Sequence, residues 1–367
     1  MKKKAAILLS RQALRPCGNQ SWIMRTLEAV KWAGENDLVI LTSCGLQTWE
    51  FIIFSAEKYG VSQIIYVPSS DFSDFHKNTS ILKNQFTFRN ETAFEPIFTI
   101  DSTKNSMKER DRVVAQSADL LVPISIRKNG EMEILINEMS GAGIAIERSF
   151  QIPYEKSEKI KYEISDPQIE TNTIFKKGKY IIHWTRGSNG PWPTERLTDY
   201  YEAVLNSATY PRDAFSTLKN ILYSKVIKAS SRHMPDKEKI VAFTGCIPLE
   251  FVKNMRWRSR YTEMSFEPYG IAIEMKAAID AGVRKVVYVN SRKDKNQNEN
   301  WLIQSYGEKG FWVEEDEYRF KGDFYLKDFC RDQMVVICRN KEECEIVEKD
   351  TGLRAISLCK NNESAGT

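Results

Sequence analysis

The chain has 367 residues, 42% hydrophobic and 28% charged, a balance that describes a globular protein of two domains able to bury a core. No apolar run approaches the ~20 residues that cross a bilayer, which argues against a membrane protein. Its net charge of +4 permits a polyanionic partner without demanding one.

In chain order, Ala5–Leu9, Leu38–Thr42, Ile64–Val67, Leu120–Ile126 and Ile144–Ile146 are short apolar runs that read as strands buried on both faces. The five-residue apolar stretch at the start is closed by Arg11, so a first strand is expected there rather than a secretory leader. Between the strands, Trp22–Ala33, Thr48–Tyr59 and Met107–Ser117 carry apolar residues at helical spacing. Strand and helix in alternation predict an α/β fold: a doubly wound parallel sheet, Rossmann-like, over residues 1–152. Ligands of such sheets bind beyond the carboxyl ends of the strands.

Residues 153–178 turn polar and are expected to be a linker. Beyond it the order changes. Helices over Thr194–Asn206 and Ala214–Tyr223 precede strands near Ile240–Thr244, Gly270–Ile273, Lys285–Val289 and Met334–Cys338. This predicts an α+β domain over 179–360, followed by a polar tail at 361–367. Seven scattered cysteines form no Cys-x-x-Cys pair, and only three histidines accompany them. A metal site is therefore not expected, and reduced thiols of a cytoplasmic protein are.

Three segments of the N-terminal half bear on function. Ser10 and Arg11 follow the first strand, Ser43-Cys44-Gly45-Leu46-Gln47-Thr48 follows the second, and Arg110-Asp111-Arg112-Val113-Val114-Ala115 precedes the strand that leads to Arg127-Lys128-Asn129-Gly130. Their order resembles the DprA/SMF branch of the Rossmann-like superfamily called SLOG, over roughly 140 residues. The resemblance implies small-residue turns that cup phosphates, and an arginine segment opening a helix beside them. Where that family carries Gly-Gly-x-x-Gly-Ile-Asp, this chain has Cys44-Gly45-Leu46-Gln47-Thr48-Trp49-Glu50, and the Pro-Gly-Gly-x-Gly-Thr motif of the related phosphoribohydrolases is absent. Elementary electrostatics adds its own reason: a small-residue loop at a helix N-terminus offers unpaired N–H groups to an anion. Ser10, Arg11, Ser43, Gly45, Arg110, Arg112 and Gly130 are the expected nucleotide- or phosphate-binding residues.

In the C-terminal half, Ile182-His183-Trp184-Thr185-Arg186, Val241-Ala242-Phe243-Thr244-Gly245, Phe266-Glu267-Pro268-Tyr269-Gly270 and Trp312-Val313-Glu314-Glu315-Asp316-Glu317-Tyr318-Arg319 follow in order. The succession resembles AbiGi-type phage-resistance proteins and, more distantly, the ADP-ribosyltransferase-like fold that includes DarT. That resemblance implies a histidine on ribose hydroxyls, a Ser, Thr or aromatic on nicotinamide and a late catalytic glutamate. The roles fall on His183, Thr244 and Glu317, with Glu315 as the substitute for Glu317. Such a carboxylate would stabilise the cation formed when an N-glycosidic bond breaks. Trp184, Arg186, Trp192, Arg256, Trp257, Arg258 and Tyr269 are the expected DNA- or base-stacking residues, since a base must leave the stack to react. Each has a structural alternative, from a hydrogen-bonded core histidine at 183 to a solvated face at 256–260.

The expected function is antiphage chemistry on an N-glycosidic bond with DNA as partner, phage-derived and modified or single-stranded. Both a DNA glycosylase and a base-directed ADP-ribosyltransferase using NAD as co-substrate fit. Two alternatives stay open: an effector that hydrolyses NAD on a nucleotide signal, and a non-catalytic single-stranded-DNA-binding protein. A homo-oligomer is compatible with all of them.

Overall fold

Ala5–Leu8 are completely buried, so the first strand has no solvent face and needs layers on both sides. The sequence provides them. In this computed structural model, which describes residues 2–89, 91–98, 104–155, 160, 162, 174–231, 234, 237–259, 261–289, 300–306 and 311–359, the chain divides into two compact units. Met1–Glu158 with Asn189–Pro211 forms the N-terminal unit, and Lys159–Ser188 with Arg212–Thr367 forms the C-terminal unit. Residues 156–159, 161 and 163–173 of the expected linker, Arg260 and the expected tail lie outside the described residues.

The N-terminal unit is the expected α/β fold. Strands β1 (Lys4–Leu8), β2 (Val39–Ser43), β3 (Gln63–Ser69), β4 (Thr92–Phe98), β5 (Leu120–Pro123) and β6 (Ala145–Ile146) form one parallel sheet in the order β4-β3-β2-β1-β5-β6. Helices α1 (Ser21–Glu35), α2 (Gln47–Tyr59), α3 (Phe72–Gln85), α4 (Lys104–Gln116) and α5 (Glu131–Gly141) connect them. The order reverses at β1, so right-handed crossovers send α1 to α3 to one face and α4 and α5 to the other. Two connections escaped the sequence reading. Strand β4 is an edge strand that contains Pro96 and fully buries only Ile97, and α3 buries only Thr79 and Leu82.

Helix α6 (Leu197–Leu205) falls in the stretch that the sequence assigns to the C-terminal domain, yet it packs in the N-terminal unit. Tyr200 and Tyr201 explain why. Both are buried, and the Tyr201 ring lies 5.5 Å from Phe51 and 5.7 Å from Phe54 on α2. Gly18 lets the chain approach the end of α6: a Cβ there would stand 2.2 Å from the Leu205 carbonyl oxygen.

The C-terminal unit is α+β. Its strands are β7 (Tyr180–Thr185), β8 (Val226–Ile227), β9 (Ile240–Thr244), β10 (Trp257–Arg258), β11 (Glu263–Met264), β12 (Tyr269–Glu274), β13 (Arg284–Lys285), β14 (Val287–Val289), β15 (Ile303–Ser305), β16 (Glu317–Lys321), β17 (Phe324–Tyr325), β18 (Met334–Cys338) and β19 (Ala355–Ser357). Its helices are α7 (Ala214–Ser224), α8 (Pro248–Phe251), α9 (Met275–Asp280) and α10 (Lys341–Thr351). Seven strands form a mixed sheet in the order β13-β16-β9-β7-β12-β18-β19. The run Lys285–Val289, expected as one strand, splits: β13 pairs with β16, whereas β14 pairs with β15 in a separate ladder.

Alternation gives this large sheet two apolar faces. Ile181, Phe243, Ile271 and Tyr318 belong to one cluster, and Ile182, Trp184, Ala272 and Val335 belong to another. Successive residues of β7 thus enter different cores.

Candidate functional site

The N-terminal sheet changes direction between β1 and β5, and the carboxyl ends of these two strands diverge there. Backbone pairing continues one step further: the Ser10 amide donates to the Ser125 carbonyl at 3.0 Å, and the Arg127 amide donates to the Ser10 hydroxyl at 2.9 Å. Gln12 seals the gap by donating to the carbonyls of both Ser10 and Ser125. Beyond this point lies a half-open cleft of about 810 Å³, with Ile126, Arg127 and Lys128 on one side and the run from Gln151 to Tyr154 on the other.

Its charge is one-sided. Arg127 and Lys128 are exposed, and among the described residues no carboxylate pairs with either. Arg11 is exposed as well; its guanidinium donates to the sulfur of Met107 at 3.1 Å, and its charge acts on the Asp111 carboxyl. The Tyr154 hydroxyl donates to the Arg11 carbonyl at 3.0 Å, which holds the half-buried ring against the cleft. Three exposed cations beside an aromatic face suit phosphates with an attached base. The sequence names Ser10 and Arg11 as binding residues and singles out the segment Arg127-Lys128-Asn129-Gly130, but only Gly130 of that segment was expected to bind, and Tyr154 was not expected at all. The Arg127-Lys128 dipeptide directly after an apolar strand was the available signal.

The turn after β2, expected as a phosphate cradle, is occupied by the protein itself. The Ser43 hydroxyl donates to the Tyr66 carbonyl at 2.6 Å. Gly45 adopts φ +82, as a residue without a Cβ can, and its amide bonds to the Glu50 carboxyl in the first turn of α2. Glu50 also accepts from the Tyr201 hydroxyl at 3.3 Å, and burial pushes its carboxyl above the ordinary range against these bonds and the charge of Arg110. A resident carboxylate thus takes the anion position at the helix N-terminus.

Arg110 does not open a helix: it lies inside α4 and is spent internally. It is 3% exposed, grips Asp111 through Nε at 2.9 Å and a terminal nitrogen at 2.7 Å, and donates to the Cys44 carbonyl at 3.1 Å. Trp49 Nε1 donates to the same Asp111 oxygen. Burial raises Asp111 despite Arg110, and burial likewise pushes the Cys44 thiol up to about 12. Arg112 pairs with Glu138 on the surface at 2.6 Å. Gly130 serves as the N-cap of α5, whose first turn already holds Glu131 and Glu133.

In the C-terminal unit the expected catalytic set is not brought together. Thr244 pairs with both Ile182 and Glu317, so those three side chains share one face of the sheet. His183, next to Ile182, points to the other face, where its ring lies 5.9 Å from Phe243 and its Nδ1 donates to the Ala242 carbonyl at 2.9 Å. Burial lowers the imidazole pKa, with the bond to the Ala242 carbonyl acting the other way, so this half-buried histidine is biased toward its neutral form. The Thr244 hydroxyl is consumed too, donating to the Glu315 carbonyl and accepting from the Cys246 amide. Glu317 is held in a two-pronged pair by buried Arg319, at 2.7 and 2.9 Å. Arg319 further donates to the Trp301 carbonyl and to Gln304. Glu315 differs: burial first, then Glu317, pushes its carboxyl up to about 7.

The expected stacking residues disperse for the same reason. Trp184 is buried and stacked on Phe251 at 5.5 Å, on the face opposite Tyr269. Tyr269 is buried and donates to Glu343 at 2.9 Å. Arg186 pairs with buried Glu263 at 3.0 Å. Trp192 belongs to the N-terminal unit. Only Arg256, Trp257 and Arg258 stay together near the surface, on the β10–β11 hairpin. Among the described residues no group of three His, Cys, Asp or Glu side chains could hold a metal ion. No helix among them is long and apolar enough to cross a membrane.

No family model and no curated protein matches the chain. Two solved structures do match. DNA processing protein A (DprA) from Streptococcus pneumoniae aligns at 16% identity over 40% of this chain and 49% of its own, with a TM-score of 0.30. DNA processing protein A from Helicobacter pylori, described for its single-stranded DNA binding mode, aligns at 16% identity over 39% of this chain and 63% of its own, with a TM-score of 0.29. The N-terminal region resembles DprA. The chain thus spans about half the length of the first structure and under two thirds of the second.

Proposed function

We propose that the N-terminal unit is a binding module for single-stranded nucleic acid, with the backbone phosphates in the β1/β5 cleft. The supporting observation is the set of three exposed cations, Arg11, Arg127 and Lys128, at the point where the strand order reverses, of which Arg127 and Lys128 have no carboxylate partner among the described residues. Tyr154 offers a face on which one base stacks, a contact that tolerates any sequence. Each nucleotide of a single strand presents both a phosphate and a base.

His183 and Glu317, the pair expected to act on an N-glycosidic bond, lie on opposite faces of the sheet, which supports binding over chemistry through that pair. Binding is therefore the reading favoured over chemistry. Fluorescence anisotropy with a labelled single-stranded oligonucleotide tests it. The double variant Arg127→Ala, Lys128→Ala is expected to lose ~10-fold in affinity and to lower the slope of log affinity against log salt by about 1.4, two phosphate contacts at ~0.7 each. Unchanged affinity and slope would refute the cleft as the site.

A further inference from the structure

The segment that faces Arg127 and Lys128 across the β1/β5 cleft is held in one shape. Ile152 bridges to Ser125, and its amide donates to the Ile124 carbonyl at 2.8 Å. One residue earlier, Gln151 is tied to Arg148 twice. Its backbone amide donates to the Arg148 carbonyl at 3.0 Å, and its side-chain oxygen accepts from the Arg148 guanidinium at 2.7 Å. The turn between them is fixed as well, since the Ser149 amide donates to the Glu147 carboxylate at 2.8 Å. A guanidinium only donates, so the Gln151 amide must turn its oxygen toward Arg148. Its nitrogen keeps two hydrogens that no acceptor among the described residues takes. The cleft therefore has cations on one side and, on the other, a neutral donor of fixed orientation beside Ile152, Pro153 and Tyr154.

We infer that Gln151 is a specificity-determining residue of this cleft: it donates to a keto oxygen of a base seated there and disfavours bases that carry an amino group in its place. The inference rests on the cleft as a nucleic-acid site and adds the class of base it selects. Thymine and guanine present the oxygen, whereas adenine and cytosine present an amino donor at the corresponding position of the edge. An unrestrained glutamine serves adenine with both ends of its amide, the oxygen on the amino group and the nitrogen on the ring nitrogen. Gln151 cannot do this, because Arg148 occupies its oxygen. A fixed donor that meets an amino group leaves both without an acceptor, and the same donor satisfies a keto oxygen. Gln151 is the side chain that touches the base; Arg148 is a positioning residue that acts through it.

The test measures binding of labelled oligo(dU) and oligo(dC) to the full chain at neutral pH by fluorescence anisotropy. The two strands share a backbone and lack the thymine methyl group; their bases differ in the keto or amino group and in the ring nitrogen beside it. The parent is expected to bind oligo(dU) ~5-fold more tightly than oligo(dC), the size of one neutral hydrogen bond. Gln151→Ala is expected to bind the two strands alike. Arg148→Ala frees the amide to turn either way and is expected to bring the ratio of the two affinities below ~2-fold, whatever the lost charge does to both. Equal binding of the two strands by the parent would overturn the inference, and so would a preference that survives in Gln151→Ala. A ratio unchanged in Arg148→Ala would remove the positioning role. In each of these cases, binding of both strands that Arg127→Ala with Lys128→Ala weakens would leave the cleft standing as the site. A parent that binds neither strand would overturn both readings together.

Discussion

His183 and Glu317 stand on opposite faces of one sheet, because Thr244 pairs with both Ile182 and Glu317 and His183 follows Ile182 by one residue. A single step along a strand reverses a side chain, so a histidine and a glutamate that look complementary in sequence serve two different cores. Each makes contacts inside the fold, and each contact has a measurable consequence.

Removing the Glu317 carboxyl strands a guanidinium that is 4% exposed. Glu317→Ala is expected to cost about 2–4 kcal/mol of stability, as breaking a buried ion pair does. Glu317→Gln is expected to cost less, since its amide oxygen still accepts from Arg319. Denaturant unfolding measures both, and native stability in the alanine variant would contradict the structural role.

Arg110 joins the turn after β2 to α4 through Asp111 and the Cys44 carbonyl. Arg110→Ala is expected to destabilise by about 3 kcal/mol, because a buried carboxylate loses its counter-charge and a carbonyl loses its donor. Its effect on oligonucleotide affinity, measured well below the unfolding midpoint, is expected to be under twofold. A large affinity loss in a stably folded variant would return Arg110 to the binding surface.

Gly18 abuts the α6 end, where its amide donates to the Ser207 carbonyl at 2.8 Å. Gly18→Ala forces backbone against backbone and is expected to cost about 1–3 kcal/mol, the range of an overpacked site. The thermal midpoint of the variant checks this. An unchanged midpoint would mean that the approach relaxes freely.

Burial holds the His183 imidazole below its ordinary value, with the bond to the Ala242 carbonyl acting the other way. The unfolded chain therefore takes up a proton at about 6.5 that the folded protein refuses, and stability falls as pH drops through that region. His183→Gln is expected to show a shallower fall in unfolding free energy between about pH 7.5 and about pH 5.5. Identical slopes would show that the imidazole titrates alike in both states.

The sequence alone determined the class of each unit. Buried apolar runs such as Ala5–Leu8 and amphipathic stretches such as Trp22–Ala33 have periods that only an interleaved parallel sheet satisfies, so that half of the fold was legible. Edge strand β4 and helix α3 were not, because neither buries enough side chains to write a period. Tertiary structure decided everything that depends on partners far along the chain. It gave Glu50 the anion position that Ser43 and Gly45 seemed to offer, spent Arg110 on Asp111, returned α6 to the N-terminal unit and set His183 and Glu317 apart. Residue type names the chemistry a side chain can do; which group satisfies it first depends on burial and cross-strand register, and neither is local in sequence.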